Sequence, residues 1–113
     1  MNSETTKRPW GSFTRFTENE SSTVKILNIS KGEKLSLQYH ARRDEFWRII
    51  SGNPEIIIGE DKFDAKEGEE FNVPAEIKHR ISAPYNDVTI LEIATGDFDE
   101  EDIVRVEDEY GRV

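Results

Sequence analysis

The stretch that decides the fold runs from Gly32 to Gly52 and reads GEKLSLQYHARRDEFWRIISG. Within it, Gln38 and His40 are two positions apart, so on an extended strand their side chains point to the same side. Glu45 follows a short polar turn, residues 41–44, that can bring its carboxylate back beside them. The stretch therefore predicts three donor side chains that converge between two glycine-marked turns.

A second glycine-marked run, GEEFNVPAEIKH from Gly68 to His79, supplies a fourth donor at its end. The chain has two histidines, and both fall at donor positions. Imidazole and carboxylate ligands suit borderline divalent ions. We therefore predict one divalent metal ion held by Gln38, His40, Glu45 and His79, with zinc as first choice and manganese, cobalt or iron as alternatives. The competing interpretation is that these side chains only hydrogen-bond inside the fold.

The composition restricts the class of protein. A chain of 113 residues forms one domain, residues 1–113, and its net charge of −9 argues against nucleic-acid binding. The sequence has no cysteine, which excludes a disulfide scaffold and thiol chemistry. It contains no apolar run of the roughly 18 residues that a membrane-spanning helix needs. Its first 20 residues also lack the apolar region of a signal peptide. We expect a cytoplasmic protein without a membrane partner.

Short apolar runs separated by turn residues indicate an all-β fold. The turns are marked by Gly, Pro, Asn and Asp, and no helical periodicity is evident before residue 97. This pattern predicts an all-β barrel or sandwich, and we expect the jelly-roll form. Residues 1–7 are polar and are predicted to be disordered. For the acidic segment 97–113 we expect a short helical or irregular tail, in which Asp99 is placed to cap a helix that extends to about Val104.

The spacing of these motifs resembles a known superfamily. From Gly32 to Gly52 it is similar to the first motif of the cupins, with Gln38 in place of the first histidine, and the run from Gly68 to His79 resembles the second. More narrowly, four features resemble the type II phosphomannose isomerase domain, which also forms the C-terminal part of bifunctional mannose-1-phosphate guanylyltransferases. These features are RPWGS at 8–12, LSLQYH at 35–40, Arg43 with the EFW run at 45–47, and EEDIVRVEDEYGR at 100–112.

The resemblance implies a metal-dependent isomerase that interconverts mannose 6-phosphate and fructose 6-phosphate through an enediol. It also implies a single-domain cupin with the tail 97–113 folded on the barrel, and a homodimer. Our candidates for binding the phosphate group are, in order, Arg43, Arg105 and Arg8. Arg43 is first because it stands two positions before Glu45 and so faces the same side of an extended strand. Arg105 is second because it matches the C-terminal signature.

A base for proton transfer is harder to choose from the sequence. Glu92 shares one face of its predicted strand with Val88, Ile90 and Ala94, so burial is expected to raise its pKa. It is our candidate for the catalytic base, and the competing interpretation makes it the partner of a buried arginine.

Four positions depart from the pattern that the resemblance implies: Arg42 and Phe46 stand where histidine is frequent, Glu76 where glycine is frequent, and Ala83 where asparagine is frequent. The histidine replaced by Arg42 favours an alternative function, a non-catalytic cupin that binds a sugar or sugar phosphate as a sensor or accessory subunit. An iron oxygenase is a third hypothesis, because two histidines and a carboxylate can hold ferrous iron. The glutamine donor and the isomerase-like tail argue against it.

Overall fold

The computed structural model describes residues 2–113 and contains only strands, turns and loops over that range. The strands are β1 (Glu4–Arg8), β2 (Gly11–Arg15), β3 (Ser22–Ile29), β4 (Leu37–Tyr39), β5 (Arg43–Ser51), β6 (Glu55–Ile58), β7 (Asp61–Asp64), β8 (Glu70–Val73), β9 (His79–Ser82), β10 (Val88–Gly96) and β11 (Val104–Glu107). The all-β prediction is thereby confirmed.

Two antiparallel sheets enclose the core. One has the strand order β3-β10-β5-β8 and the other β11-β4-β9-β6-β7, so strands distant in sequence become neighbours. Their inner faces bury the large apolar side chains Trp47, Ile49, Ile56, Ile81 and Ile90. This two-sheet arrangement is the predicted jelly roll, and its sheets bring the two histidine-bearing motifs together.

Alternation along β5 and β10 decides which side chains enter the barrel. Glu45, Trp47 and Ile49 are all buried on β5, as the period of two predicts. On β10, Glu92 stands opposite Trp47 of β5 and Lys25 of β3. A carboxylate is therefore carried into the interior by a strand whose other inward residues are apolar.

Gly52 ends the first motif because no other residue fits there. Its φ of +87° lies in the left-handed region, and a Cβ built on it would collide with the carbonyl oxygen of Asp87 and lie 3.0 Å from Cα of Val88. The turn after β5 thus packs backbone against backbone at the start of β10.

The N-terminal segment differs from the expected disorder. Residue 1 of the predicted 1–7 range lies outside the described residues, but Glu4–Arg8 forms a strand paired with Gly11–Arg15. The hydroxyls of Thr5 and Thr14 are 3.0 Å apart across this hairpin. The predicted disorder rested on polarity, yet polar threonines have a high strand propensity and here find a partner strand.

The C-terminal segment also differs from the expected helix. Asp99 caps one turn, since its carboxylate accepts a hydrogen bond from the backbone N–H of Glu101, but the chain then extends as β11. Val104 of β11 pairs with Tyr39 of β4. The available edge of β4, together with β-branched residues at 104 and 106, outweighs the capping signal. The tail consequently completes the five-stranded sheet.

Candidate metal centre

Three buried donors converge inside the barrel. Nε2 of His40 lies 3.2 Å from one carboxylate oxygen of Glu45, and Nε2 of His79 lies 3.7 Å from the other. One ligand atom from each of the three residues lies within 4.8 Å of the others. The predicted convergence of His40, Glu45 and His79 is therefore present, although the residues come from three separate parts of the chain.

Backbone carbonyls orient both imidazole rings. Nδ1 of His40 lies 2.6 Å from the carbonyl oxygen of Asp102, and Nδ1 of His79 lies 3.0 Å from that of Ile77. A carbonyl can only accept, so each Nδ1 carries the proton and each Nε2 presents a lone pair to Glu45. Histidine ligands of metals are commonly oriented through the second ring nitrogen in this way.

His79 provides the clearest test of whether a cation fits. Its Nε2 is fully buried and has no hydrogen-bond partner within residues 2–113. Burial lowers the pKa of His79, against the opposing effects of the Glu45 charge and the hydrogen bond to Ile77, which keeps the ring neutral near pH 7. A buried, unpaired lone pair aimed at a carboxylate is costly unless a cation or a donor occupies the space between them. The donor set therefore fits a divalent ion.

Glu45 remains ionised despite its burial. Burial alone would raise its pKa, but the neighbouring His40, His79 and Arg43 together lower the pKa to about 2. Nε1 of Trp47 also donates to the carboxylate, at 3.2 Å. The site thus presents one carboxylate and two imidazole nitrogens, a set suited to zinc, manganese or iron.

Gln38 lies beside the three donors, but its oxygen points elsewhere. Oε1 of Gln38 is 2.5 Å from Oγ of Ser36, and Nε2 of Gln38 is 3.3 Å from Nε2 of His40. Ligation requires the amide oxygen, so the amide group would have to turn over. The role of Gln38 as fourth ligand stays a prediction.

The guanidinium of Arg43 contacts two of the three clustered donors, His40 and Glu45. It is 6% exposed; its Nε and Nη2 each lie 3.1 Å from Oε2 of Glu45, and Nη2 is also 3.1 Å from Nε2 of His40. Nη1 donates to the carbonyl of Asp99 at 3.3 Å, and the guanidinium stacks on Phe98 at 4.5 Å. Arg43 therefore contacts the site as predicted, but its hydrogen bonds go to ligands rather than to an open phosphate position.

A cavity of about 280 Å³ opens beside these residues. The metal site contributes Gln38, Arg43 and Glu45 to its wall, and Glu92, Glu100 and the cations Lys25, Arg105 and Arg112 complete the polar lining. Lys25 is paired with Glu100 at 2.8 Å, and Arg112 with Asp108 at 2.9 Å. A cavity lined by both carboxylates and cations suits a polar, anionic small molecule.

Arg105 is the cation in this wall that lacks a partner. Its Nε is buried without a hydrogen-bond partner in the described part of the chain, residues 2–113. Arg105 lies on β11, where it is paired with Gln38 of β4. An unsatisfied guanidinium at a cavity is suited to an anion.

Glu92 faces the same cavity and is 7% exposed. Burial, followed by the negative charge of Glu45, raises its pKa to about 7, while Lys25 and Arg43 oppose the rise. The competing expectation of an arginine partner is not met among residues 2–113, because no arginine forms an ion pair with it. Its placement as an inward-facing carboxylate agrees with the sequence analysis.

Arg8 and Arg80 lie away from the cavity. Arg8 belongs to the N-terminal hairpin, where its guanidinium lies over the ring of Phe13, 5.3 Å from the ring centre, and it is absent from the cavity wall. Arg80 bonds to Glu107 at 3.0 Å and to the carbonyl of Leu35 at 2.8 Å, tying β11 to the barrel. The Arg80 side chain is buried although it forms this salt bridge.

Sequence reasoning missed Asp102. Its carbonyl orients His40, and its carboxylate accepts hydrogen bonds from the backbone N–H groups of Ala41 and Arg42 at 2.9 and 3.0 Å. The available signal was the acidic segment around it, which we interpreted as a helix start. An aspartate that anchors a distant turn cannot be distinguished from a helix cap by its local sequence.

The double-sheet barrel, with His40 directly after β4, Glu45 on β5 and His79 on β9, defines the chain as a cupin. It matches the family described as "Mannose-6-phosphate isomerase C-terminal" over residues 1–108, and the chain belongs to that family.

Individual relatives agree with this assignment. The xanthan biosynthesis protein XanB of Xanthomonas campestris pv. campestris is 35% identical over 107 residues, which are 93% of this chain and 23% of XanB. The mannose-1-phosphate guanylyltransferase ManC of Salmonella typhimurium is 32% identical over 94% of this chain and 22% of ManC. The chain thus spans less than a quarter of these relatives. A Klebsiella pneumoniae protein with a double-stranded β-helix domain has a TM-score of 0.68 at 16% identity, covering 81% of this chain and 80% of its own.

Across residues 2–113, no helix is both long and apolar enough to span a membrane.

Proposed function

We propose that this chain is a metal-dependent aldose–ketose isomerase that interconverts mannose 6-phosphate and fructose 6-phosphate. The family places the chain among cupins related to sugar phosphates. The single observation that carries the finer proposal is the cavity in which a buried carboxylate, Glu92, shares a wall with the metal ligand Glu45 and with the unpaired Arg105. Isomerisation needs these three elements: a base, a site for charge on oxygen, and an anchor for phosphate.

The residues that line the cavity suggest the orientation of the substrate. Arg105 binds the phosphate, because its guanidinium carries a buried N–H without a partner among residues 2–113. The carbonyl group of the sugar then lies toward Glu45, which lines the same cavity and contacts His40. The cations in this wall allow the cavity to accept a phosphate in a chain whose net charge is −9.

His40, Glu45 and His79 would hold the metal ion, with Gln38 as a fourth donor, and the ion would supply electrophilic stabilisation of negative charge on the sugar oxygens. Trp47 holds the Glu45 carboxylate in place through Nε1. Carbonyls of Asp102 and Ile77 keep the histidine lone pairs directed at the site.

Glu92 moves the proton. As a carboxylate it removes the proton from C2 of mannose 6-phosphate while O1 gains a proton, which gives the enediol. It then delivers a proton to C1 while the hydroxyl on C2 loses its proton, which gives fructose 6-phosphate. A pKa of about 7 makes Glu92 a base whose two protonation states are both populated near neutral pH.

The test is turnover of mannose 6-phosphate by protein stripped with a chelator and then given zinc, manganese, cobalt or iron singly. We expect turnover that depends on the metal and is lost in His79→Ala. Glu92→Gln should reduce kcat by about 10²–10⁴-fold while leaving metal affinity unchanged. An exposed carboxylate away from the cavity, Glu60, supplies the control variant Glu60→Gln. Turnover that survives in both His79→Ala and Glu92→Gln would refute the proposal.

A second candidate is a cupin that binds the sugar phosphate without converting it. Arg42 favours this second function, because it stands where the resemblance led us to expect histidine. Its side chain is half-exposed, and its Nη2 lies 3.6 Å from Oδ2 of Asp99. Binding of fructose 6-phosphate without turnover under any metal would support this second function.

A further inference from the structure

We propose that Arg43 and the divalent ion compete for the lone pair of His40. The inference rests on the proposed metal centre and concerns how this chain regulates access to it. With Nδ1 of His40 donating to Asp102, the ring has one lone pair, on Nε2. Nη2 of Arg43 lies 3.1 Å from that nitrogen, in position to donate to it. A metal ion bound to Nε2 uses the same lone pair, so the two interactions exclude one another.

Three other contacts keep the guanidinium in place when this hydrogen bond is lost. Nε donates to Glu45 at 3.1 Å, Nη1 donates to the carbonyl of Asp99 at 3.3 Å, and the ring of Phe98 stacks on the group. Nη2 also keeps its contact with Oε2 of Glu45 at 3.1 Å, so only its bond to His40 is lost. Because Arg43 also lines the cavity, we expect the released N–H to be available to an anionic substrate.

Charge adds to the competition. Arg43 is almost completely buried and forms an ion pair with Glu45, the carboxylate among the three clustered donors. A metal ion brought to Glu45 meets a positive charge that water does not screen effectively. The arginine therefore neutralises the charge of Glu45 when the ion is away and weakens binding of the ion.

The test compares metal affinity among variants, measured by competition with a chromophoric chelator. We expect Arg43→Met and Arg43→Lys each to bind zinc about tenfold more tightly than the wild type, the equivalent of one charge-assisted hydrogen bond. The matched control is Arg42→Met, which removes a neighbouring half-exposed arginine that bonds to Asp99 and should leave zinc affinity unchanged. Circular dichroism establishes that each variant is folded.

Lysine separates competition from simple repulsion, since it keeps the charge but lacks the forked N–H groups that bridge His40 and Glu45. If zinc binds more tightly to Arg43→Met but not to Arg43→Lys, the effect is charge repulsion only and the proposal is overturned. Unchanged or weaker zinc binding in both folded variants would also overturn it. Side-chain NMR of wild-type Arg43 provides an independent measurement. Zinc should shift the Nη resonances and leave the Nε–H in its contact with Glu45, whereas unchanged Nη resonances would contradict competition. A wild type that binds no metal would refute the proposed function itself.

Discussion

The backbone carbonyl of Asp102 accepts a hydrogen bond of 2.6 Å from Nδ1 of His40, although the two residues are 62 positions apart. The carboxylate of the same aspartate holds the turn that follows His40, through the N–H groups of Ala41 and Arg42. The segment before β11 is thus part of the candidate metal centre, because it sets the direction of the His40 ring.

Asp102→Ala should weaken zinc binding by about 10–100-fold, the usual effect of losing the outer support of a metal ligand. Without the carboxylate, the segment is no longer anchored to the turn and its carbonyl no longer fixes the ring of His40. Competition with a chelator measures the affinity. Glu101→Ala alters the adjacent exposed side chain and serves as control. If both variants bind zinc like the wild type, Asp102 has no positioning role.

Glu92→Gln should stabilise the chelated protein at pH 8 and not at pH 4.5. The folded-state pKa of about 7 lies above the ordinary value of 4.5. Between pH 4.5 and pH 7 the native state therefore binds more protons than the unfolded state, and its stability falls as the pH rises through this range. Ionising Glu92 costs up to about 3 kcal/mol by pH 8. Urea unfolding at both pH values measures the difference.

Glu60→Gln, at an exposed turn, is the control for that experiment. A Glu92→Gln variant that gains nothing at pH 8, or gains equally at both pH values, would show that burial does not shift this carboxyl group.

Arg105→Ala should raise KM for the sugar phosphate by about 10–100-fold, which corresponds to loss of charge-assisted hydrogen bonds to phosphate. Zinc affinity should not change, because Arg105 is absent from the cluster of His40, Glu45 and His79. Arg48→Ala removes an arginine paired with Glu70 outside the cavity and provides the comparison. Equal KM values for the two variants would place the phosphate elsewhere.

Gly52→Ala should destabilise the fold by more than about 2 kcal/mol, since it combines an unfavourable φ with a collision against the backbone of Asp87. Gly68→Ala is the matched control: its φ of +88° is almost the same, but a Cβ there meets nothing within 4 Å. Strain alone should cost that variant about 1 kcal/mol. Equal losses in urea unfolding would show that the close approach contributes nothing.

The sequence predicted the inner faces of β5 and β10 well, because a period of two determines which side chains share a face. Glu45 and Glu92 are both inward, and His40, Glu45 and His79 meet as the glycine-marked spacing indicates. Metal ligation by Gln38 and the homodimer stay predictions.

The parts that sequence reasoning missed depend on contacts across the fold. Arg43 lies on the side of its strand that faces the cavity, as the alternation predicts. Its hydrogen bond to His40, however, depends on the packing of Phe98 and Asp99 around the guanidinium. The strands at Glu4–Arg8 and Val104–Glu107 form because each finds a free edge to pair with. Local propensity contains no record of such an edge.

The distance in sequence between His40 and Asp102 also determines when the centre can form during protein synthesis. A ribosome that adds about 5–20 residues per second needs roughly 3–12 s to pass from one residue to the other. Throughout that interval the nascent chain lacks the carbonyl that orients the ring of His40. We therefore expect the candidate site to bind a metal ion selectively only in the finished domain.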